Sequence, residues 1–321
     1  MPTRSDTAVS TEAAQSSAGE STCGAIEAIR LSKRYGATLA VEELSFSIRP
    51  GTIAGFLGPN GAGKTTTFRM LVGLASPTSG QGRILGKDYR DLDDPIRQVG
   101  AMLEVSGYHP SRTGRNHLKL LARTAGIGDE RVEELLELVD LASAAGRPVG
   151  GYSSGMRQRL GLAGALLGDP EVLLLDEPAN GLDPKGIRWL RDFLRALAHE
   201  QGRTVFVSSH ILAEVAQMVD DVVIIDRGRL VTQGPIERIV AHMGSAITVR
   251  TPDAARLEEL LSGRQAKVTR SAPDRLLVSE IDIEDVGRLA SGNGLTLFEL
   301  HEEGLSLEET FLALTERGEP R

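Results

Sequence analysis

"GPNGAGKTT", residues 58–66, lies between an apolar run, "TIAGFLG" (52–58), and "KTTTFRMLVGLA" (64–75), whose apolar residues recur at helical spacing up to Pro77. It fits G-x-x-x-x-G-K-[ST] at Gly58, Gly63, Lys64 and Thr65, between a strand and a helix as that motif requires. The glycines let backbone N–H groups turn inward around phosphate oxygens, and the following helix N-terminus adds partial positive charge. Pro59, Asn60, Gly61, Ala62 and Thr66 complete the cradle, Lys64 reaches the β- and γ-phosphates, and Thr65 offers a hydroxyl to Mg²⁺. The phosphates of a nucleotide and Mg²⁺ are the expected ligands.

Outward from this loop, two further apolar strands end in polar residues. "EVLLLDEP" (171–178) closes on Asp176, the natural Mg²⁺ partner, and Glu177, which alternation along a strand turns the other way, toward an attacking water whose proton it could accept. "TVFVSSH" (204–210) ends on His210, placed to hydrogen-bond the γ-phosphate and hold that water. Strand and helix alternate through this part of the chain, which predicts a parallel sheet with helices packed on it. Ahead of the loop, "AIEAIRLSKRYG" (25–36) and "AVEELSFSIRPG" (40–51) alternate as two antiparallel strands, and residues 95–164 read as a helical insertion.

The expected fold is therefore α/β, a P-loop NTPase (RecA-like) core with an antiparallel β subdomain and a helical subdomain. Residues 25–240 form this unit, a small α+β domain spans 245–321, and residues 1–24, small and polar, read as a disordered tail. The net charge of -8 disfavours a nucleic-acid partner, which calls for a basic face. The lone cysteine, Cys23, fits a reducing compartment, and the longest apolar runs fall far short of the roughly 18 residues that span a bilayer.

A second stretch, "GYSSGMRQRL" (151–160), has the look of another phosphate-binding helix start. Together with Tyr35, the loop at 58–66, the acidic strand, "NGLDP" (180–184) and "SSH" (208–210), in that order, it makes the chain resemble the ATP-binding cassette family, the nucleotide-hydrolysing subunits of ABC transporters. The resemblance covers about residues 26–235. It implies a head-to-tail dimer in which Ser153, Ser154, Gly155 and Met156 of one subunit close over ATP in the loop of a second cassette. It also implies that Tyr35 stacks on adenine, that Asp183 lies at the dimer seam, and that a separate transmembrane permease holds the protein at the cytoplasmic face of the membrane.

Two departures mark a branch. The commonest signature, Leu-Ser-Gly-Gly-Gln, is here Tyr152, Ser153, Ser154, Gly155, Met156; Ser154 disfavours any φ > 0 at its position, and Met156 lacks a glutamine's hydrogen bonds. In "AMLEVSGYHP" (101–110) Glu104 stands where the family's Mg²⁺-contacting glutamine falls. Both are similar to the ABC-2-type drug and antibiotic export branch, the daunorubicin-type and bacitracin-type ATPases, which also carry a C-terminal extension ending much like "SLEETFLALT" (306–315). This implies an ATP hydrolase driving export of a drug, antibiotic or other hydrophobic compound. A permease-independent cassette ATPase acting on DNA or the ribosome is the alternative, disfavoured by the acidic balance and by the lack of a coiled coil or second cassette; a P-loop kinase or GTPase leaves the signature and His210 unexplained.

Overall fold

A computed structural model describes residues 24–103, 107–211, 217–242, 245–264 and 266–304. The tail 1–23, Glu104, residues 212–216 of "ILAEVAQMVD" and the segment "SLEETFLALTERG" lie outside the described residues.

The alternating strands β1 (Ile26–Tyr35) and β2 (Thr38–Ile48) pair as a hairpin, Tyr35 opposite Thr38, and β1 also pairs with a later strand, β4 (Ser79–Ile84). Between them come β3 (Ile53–Leu57) and helix α1 (Lys64–Leu71). The larger sheet continues with β5 (Val99–Met102), β6 (Val172–Leu175), β7 (Thr204–Ser209), β8 (Asp221–Asp226) and β9 (Arg229–Pro235), in the order β5-β6-β7-β3-β8-β9. All its pairs are parallel except β8 with β9. Strands β3, β6 and β7 are buried along their whole length, as unbroken apolar runs require when both faces of a sheet are covered.

Alternation along these strands divides the interior in two. Ala54, Phe56, Leu174 and Phe206 face the core shared with the β2-β1-β4 sheet, whereas Ile53, Leu57, Leu173, Leu175, Val205 and Val207 face the helical side. In the first core Phe46, Phe56, Phe68 and Phe206 meet at centroid separations of 5.0 to 5.7 Å, tilted or edge-on as ring quadrupoles prefer. Phe68 lies on α1, one turn from Lys64, so this cluster fixes the helix that the phosphate loop feeds.

Within residues 95–164 the expected helices are α3 (Gly114–Thr124), α4 (Asp129–Leu138) and α5 (Ser154–Ala165), whose Leu118, Leu135, Leu136, Leu160 and Leu162 join the helical-side core. The start of that stretch differs from the sequence reading. A single helical turn, α2 (Pro95–Gln98), leads into β5, which is the edge strand of the main sheet. Four apolar or small residues carry too little periodicity to distinguish a strand from a helix end.

The chain then builds a second antiparallel sheet from β10 (Ser245–Arg250), β11 (Lys267–Ala272), β12 (Arg275–Ser279) and β13 (Glu299–Gly304), ordered β11-β12-β10-β13. Helices Ala254–Ser262 and Ile283–Gly292 cross over between strands, a split βαβ arrangement. Ile247, Val249, Leu276 and Val278 pack with Leu257, Leu261, Val286 and Leu289 in a hydrophobic cluster of their own.

Candidate active site

Strands β3, β6 and β7 are neighbours, so the segments leaving their C-terminal ends converge at one edge of the sheet, where ligands bind in open α/β folds. After β3 the loop 58–63 turns with Gly61 and Gly63 at φ 84° and 104°, conformations that L side chains resist. A Cβ on Gly63 would also stand 2.6 Å from the Ala40 carbonyl of β2, so the hairpin strand backs directly onto the loop. The Lys64 ammonium, 6% exposed, donates to the carbonyls of Gly58 (2.6 Å) and Pro59 (3.3 Å), and lies 3.3 Å from Glu177 Oε1.

Thr65 Oγ1 donates to Asp176 Oδ2 at 2.6 Å, although the two residues are far apart in the chain. Ser208 joins both acids: its hydroxyl donates to Asp176 Oδ1 and accepts the Glu177 N–H at 2.9 Å. His210 Nδ1 lies 2.8 Å from Glu177 Oε2. An ionised Glu177 only accepts, so the proton in that contact belongs to the imidazole. The cluster can thus present an ammonium, a hydroxyl, two carboxylates and an imidazole to one small volume.

Alternation along β6 is not what separates the two carboxylates, contrary to the sequence reading. The strand stops at Leu175, and Glu177 has φ 49°, a left-handed conformation rare outside glycine. This reversal swings Glu177 toward Lys64 and His210 while Asp176 faces Thr65. The donor set fits a magnesium-bound triphosphate: Gly61 and Gly63 hold positive φ, the backbone that turns successive N–H groups toward one anion, and the hydroxyl and carboxylate oxygens of Thr65 and Asp176 are the hard donors that Mg²⁺ takes.

Residues 41–180 match the ABC transporter family, and residues 245–308 match a domain of unknown function, DUF8746. Over 294 residues the chain is 34% identical to the bacitracin transport ATP-binding protein BcrA of Enterococcus faecalis, covering 90% of this chain and 96% of that one. The chain belongs to the ABC transporter ATP-binding family. The BcrA of Bacillus licheniformis is 45% identical over 216 residues, covering 67% of this chain and 71% of that protein. The daunorubicin/doxorubicin resistance ATP-binding protein DrrA of Streptomyces peucetius is 35% identical, covering 91% and 92%. Among solved structures, the ATP binding subunit of an ABC transporter superposes with a TM-score of 0.60 at 29% identity, covering 68% of this chain and 92% of that one. No helix of the described residues is long and apolar enough to cross a membrane.

In this cassette the variant signature keeps a regular helix start. Ser153 is the N-cap of α5, its Oγ accepting the Met156 N–H at 3.2 Å, and a hydroxyl so engaged still has its own proton to donate. Ser154 is the first helical residue and needs no positive φ, so the strain raised by the missing glycine does not arise. Tyr152 is buried, donating to Ala144 O at 2.8 Å, and it fits because position 114 is glycine: a Cβ there would lie 2.3 Å from the Tyr152 hydroxyl. Met156 packs half-buried against the helical-side core.

Asp183 caps helix α6 (Pro184–Arg195), accepting the Gly186 N–H at 2.7 Å. Tyr35 is 48% exposed at the hairpin end, with Lys33 Nζ 4.8 Å from its ring centroid. Glu104 lies outside the described residues. Ser208 is the residue that sequence reasoning missed. The signal was a pair of serines inside an otherwise apolar, fully buried strand, where a hydroxyl must find partners.

Proposed function

We propose that this cassette is an ATP hydrolase that powers export through a separate membrane permease. The observation that carries the reading is the convergence of Lys64, Thr65, Asp176, Glu177 and His210 on one edge of the parallel sheet. Loop 58–66 holds the phosphates, with Lys64 exchanging its own loop carbonyls for β- and γ-phosphate oxygens. Thr65 and Asp176 hold Mg²⁺, which when bound neutralises charge developing on the phosphates. Glu177 accepts the proton of the attacking water, and His210 orients both water and γ-phosphate. Tyr35 carries the adenine on its ring.

Two copies associate head to tail, so that Ser153, Ser154, Gly155 and Met156 of one chain complete the site of the other, with Asp183 at the seam. A bacterial ABC transporter cassette of the same fold, 24% identical with a TM-score of 0.60, was solved as a dimer. The names of the relatives, bacitracin transport and daunorubicin/doxorubicin resistance, support an antibiotic or other hydrophobic compound as cargo, and in this reading the permease holds the cassette at the cytoplasmic membrane face. Residues 25–240 form the catalytic unit in this reading and 245–321 an accessory one. Replacing Glu177 by Gln tests it: MgATP affinity is retained and steady-state hydrolysis drops by at least about a hundredfold. Wild-type turnover in that variant removes the general base.

A further inference from the structure

We propose that Gln158 is a positioning residue that ties the signature end of α5 to the Glu177 turn of its own chain; this rests on the ATPase reading above. Gln158 lies in the second turn of α5, 8% exposed, and its Nε2 donates to the Asn180 carbonyl at 3.2 Å. Among the described residues its buried Oε1 has no hydrogen-bond partner, so a single bond to protein holds the amide. A residue serving only to fill that space is better apolar, since an unpartnered buried oxygen costs stability.

The acceptor is what gives the bond its meaning. The Asn180 N–H donates to the Glu177 carbonyl at 3.2 Å, closing the turn that carries the proposed general base. Glu177 sits at φ 49°, a conformation that persists only where neighbours enforce it. Lys64 and His210 hold its carboxylate; its backbone is held by the Ser208 hydroxyl on its N–H, the Asn180 N–H on its carbonyl, and behind Asn180 the Gln158 amide. The same face of α5 touches the turn twice more. Gly181, at φ 73°, approaches Ser154 so closely that a Cβ would stand 2.5 Å from its Oγ, and Gly155 faces Leu182 Cδ2.

A shift of α5 as Ser153 engages a partner's phosphate therefore pulls on the Asn180 carbonyl and through it on Glu177. On the other side the same turn of helix is held by Tyr108, whose hydroxyl donates to the Arg157 carbonyl at 3.1 Å. That contact does not reach the Glu177 turn and supplies the control.

The test uses the full chain with MgATP. Gln158→Met keeps length and loses the donor. Its kcat falls about tenfold with KM within about twofold, and Gln158→Glu, which sets an acceptor against the Asn180 carbonyl, falls further. In a Glu177→Gln background Gln158→Met still dimerises on ATP as that background does, because the signature residues are intact. Tyr108→Phe keeps kcat within about twofold. Should Gln158→Met not fold, Gln158→Asn, whose amide falls a methylene short, is read by the same criteria. The proposal is overturned if Gln158→Met retains wild-type kcat, if it loses ATP-driven dimerisation in step with kcat, or if Tyr108→Phe falls equally. A wild-type chain that neither hydrolyses ATP nor dimerises on it defeats the ATPase reading instead.

Discussion

Ser208→Ala isolates the one buried hydroxyl that serves both acids of the site. Ser208 is 0% exposed, so water cannot replace what the substitution removes. Two contacts go: a charge-assisted bond donated to Asp176, worth about 1.5 to 3 kcal/mol, and acceptance of the Glu177 N–H, whose orphaned donor costs about 1 to 3 kcal/mol. The two overlap in one side chain and the site relaxes in part, so a loss of about 2 to 4 kcal/mol in unfolding free energy is expected. If about 1.4 kcal/mol of it bears on the placement of Glu177 in the transition state, kcat falls about tenfold.

Urea unfolding followed by circular dichroism and a coupled ATPase assay give the two quantities. Ser209→Ala is the matched control. Its hydroxyl bonds locally to Ile211, accepting the N–H at 3.0 Å and donating to the carbonyl at 3.3 Å, and touches neither acid. It loses about 1 kcal/mol and keeps its turnover. Equal stability in the two variants, or wild-type kcat in Ser208→Ala, refutes the reasoning that Ser208 holds the acids.

Mixing inactive chains tests the shared sites. Lys64→Ala and Ser153→Arg, each silent alone, recover about a quarter of wild-type turnover when mixed equally, since half the dimers are mixed and each holds one intact site of two; no recovery at any ratio counts against composite sites. His117 sets a pH dependence. Burial, and secondarily Arg112, hold its imidazole below the usual pKa, and its buried Nδ1 has no partner among the described residues. The unfolded chain thus binds a proton that the folded one resists, so His117's contribution is present above about pH 6.5 and is lost as pH falls toward the folded value. His117→Gln flattens the slope of thermal stability between about pH 5 and 7; an unchanged slope removes this assignment.

Much of the catalytic edge was legible because its residues are tied to local patterns. Gly58 to Thr66 needs only a strand, a turn and a helix in succession, and Asp176, Glu177 and His210 are polar residues ending apolar strands. Their neighbourhood followed from the alternation of strand and helix. The edge strand β5 escaped because four residues carry no period of their own. Ser208 escaped because a serine in a buried strand signals that its hydroxyl needs partners but not which residues they are. Sequence alone left the condition on Ser154 open for a related reason: whether that position needs φ > 0 depends on where α5 begins, which the capping of Ser153 decides.

By itself the sequence determined the phosphate cradle, the alternation of strand and helix around it and the family, because glycine freedom, apolar periodicity and motif spacing are all properties of short segments. Only the tertiary structure decided how the acids divide their work. The strand order β6-β7-β3 brings Ser208 between Asp176 and Glu177, and the left-handed turn at Glu177 sends one carboxylate to Thr65 and the other to Lys64 and His210. It also decided that the signature helix rests on that same turn through Gln158, a contact between distant segments that exists only once both are packed on a common sheet.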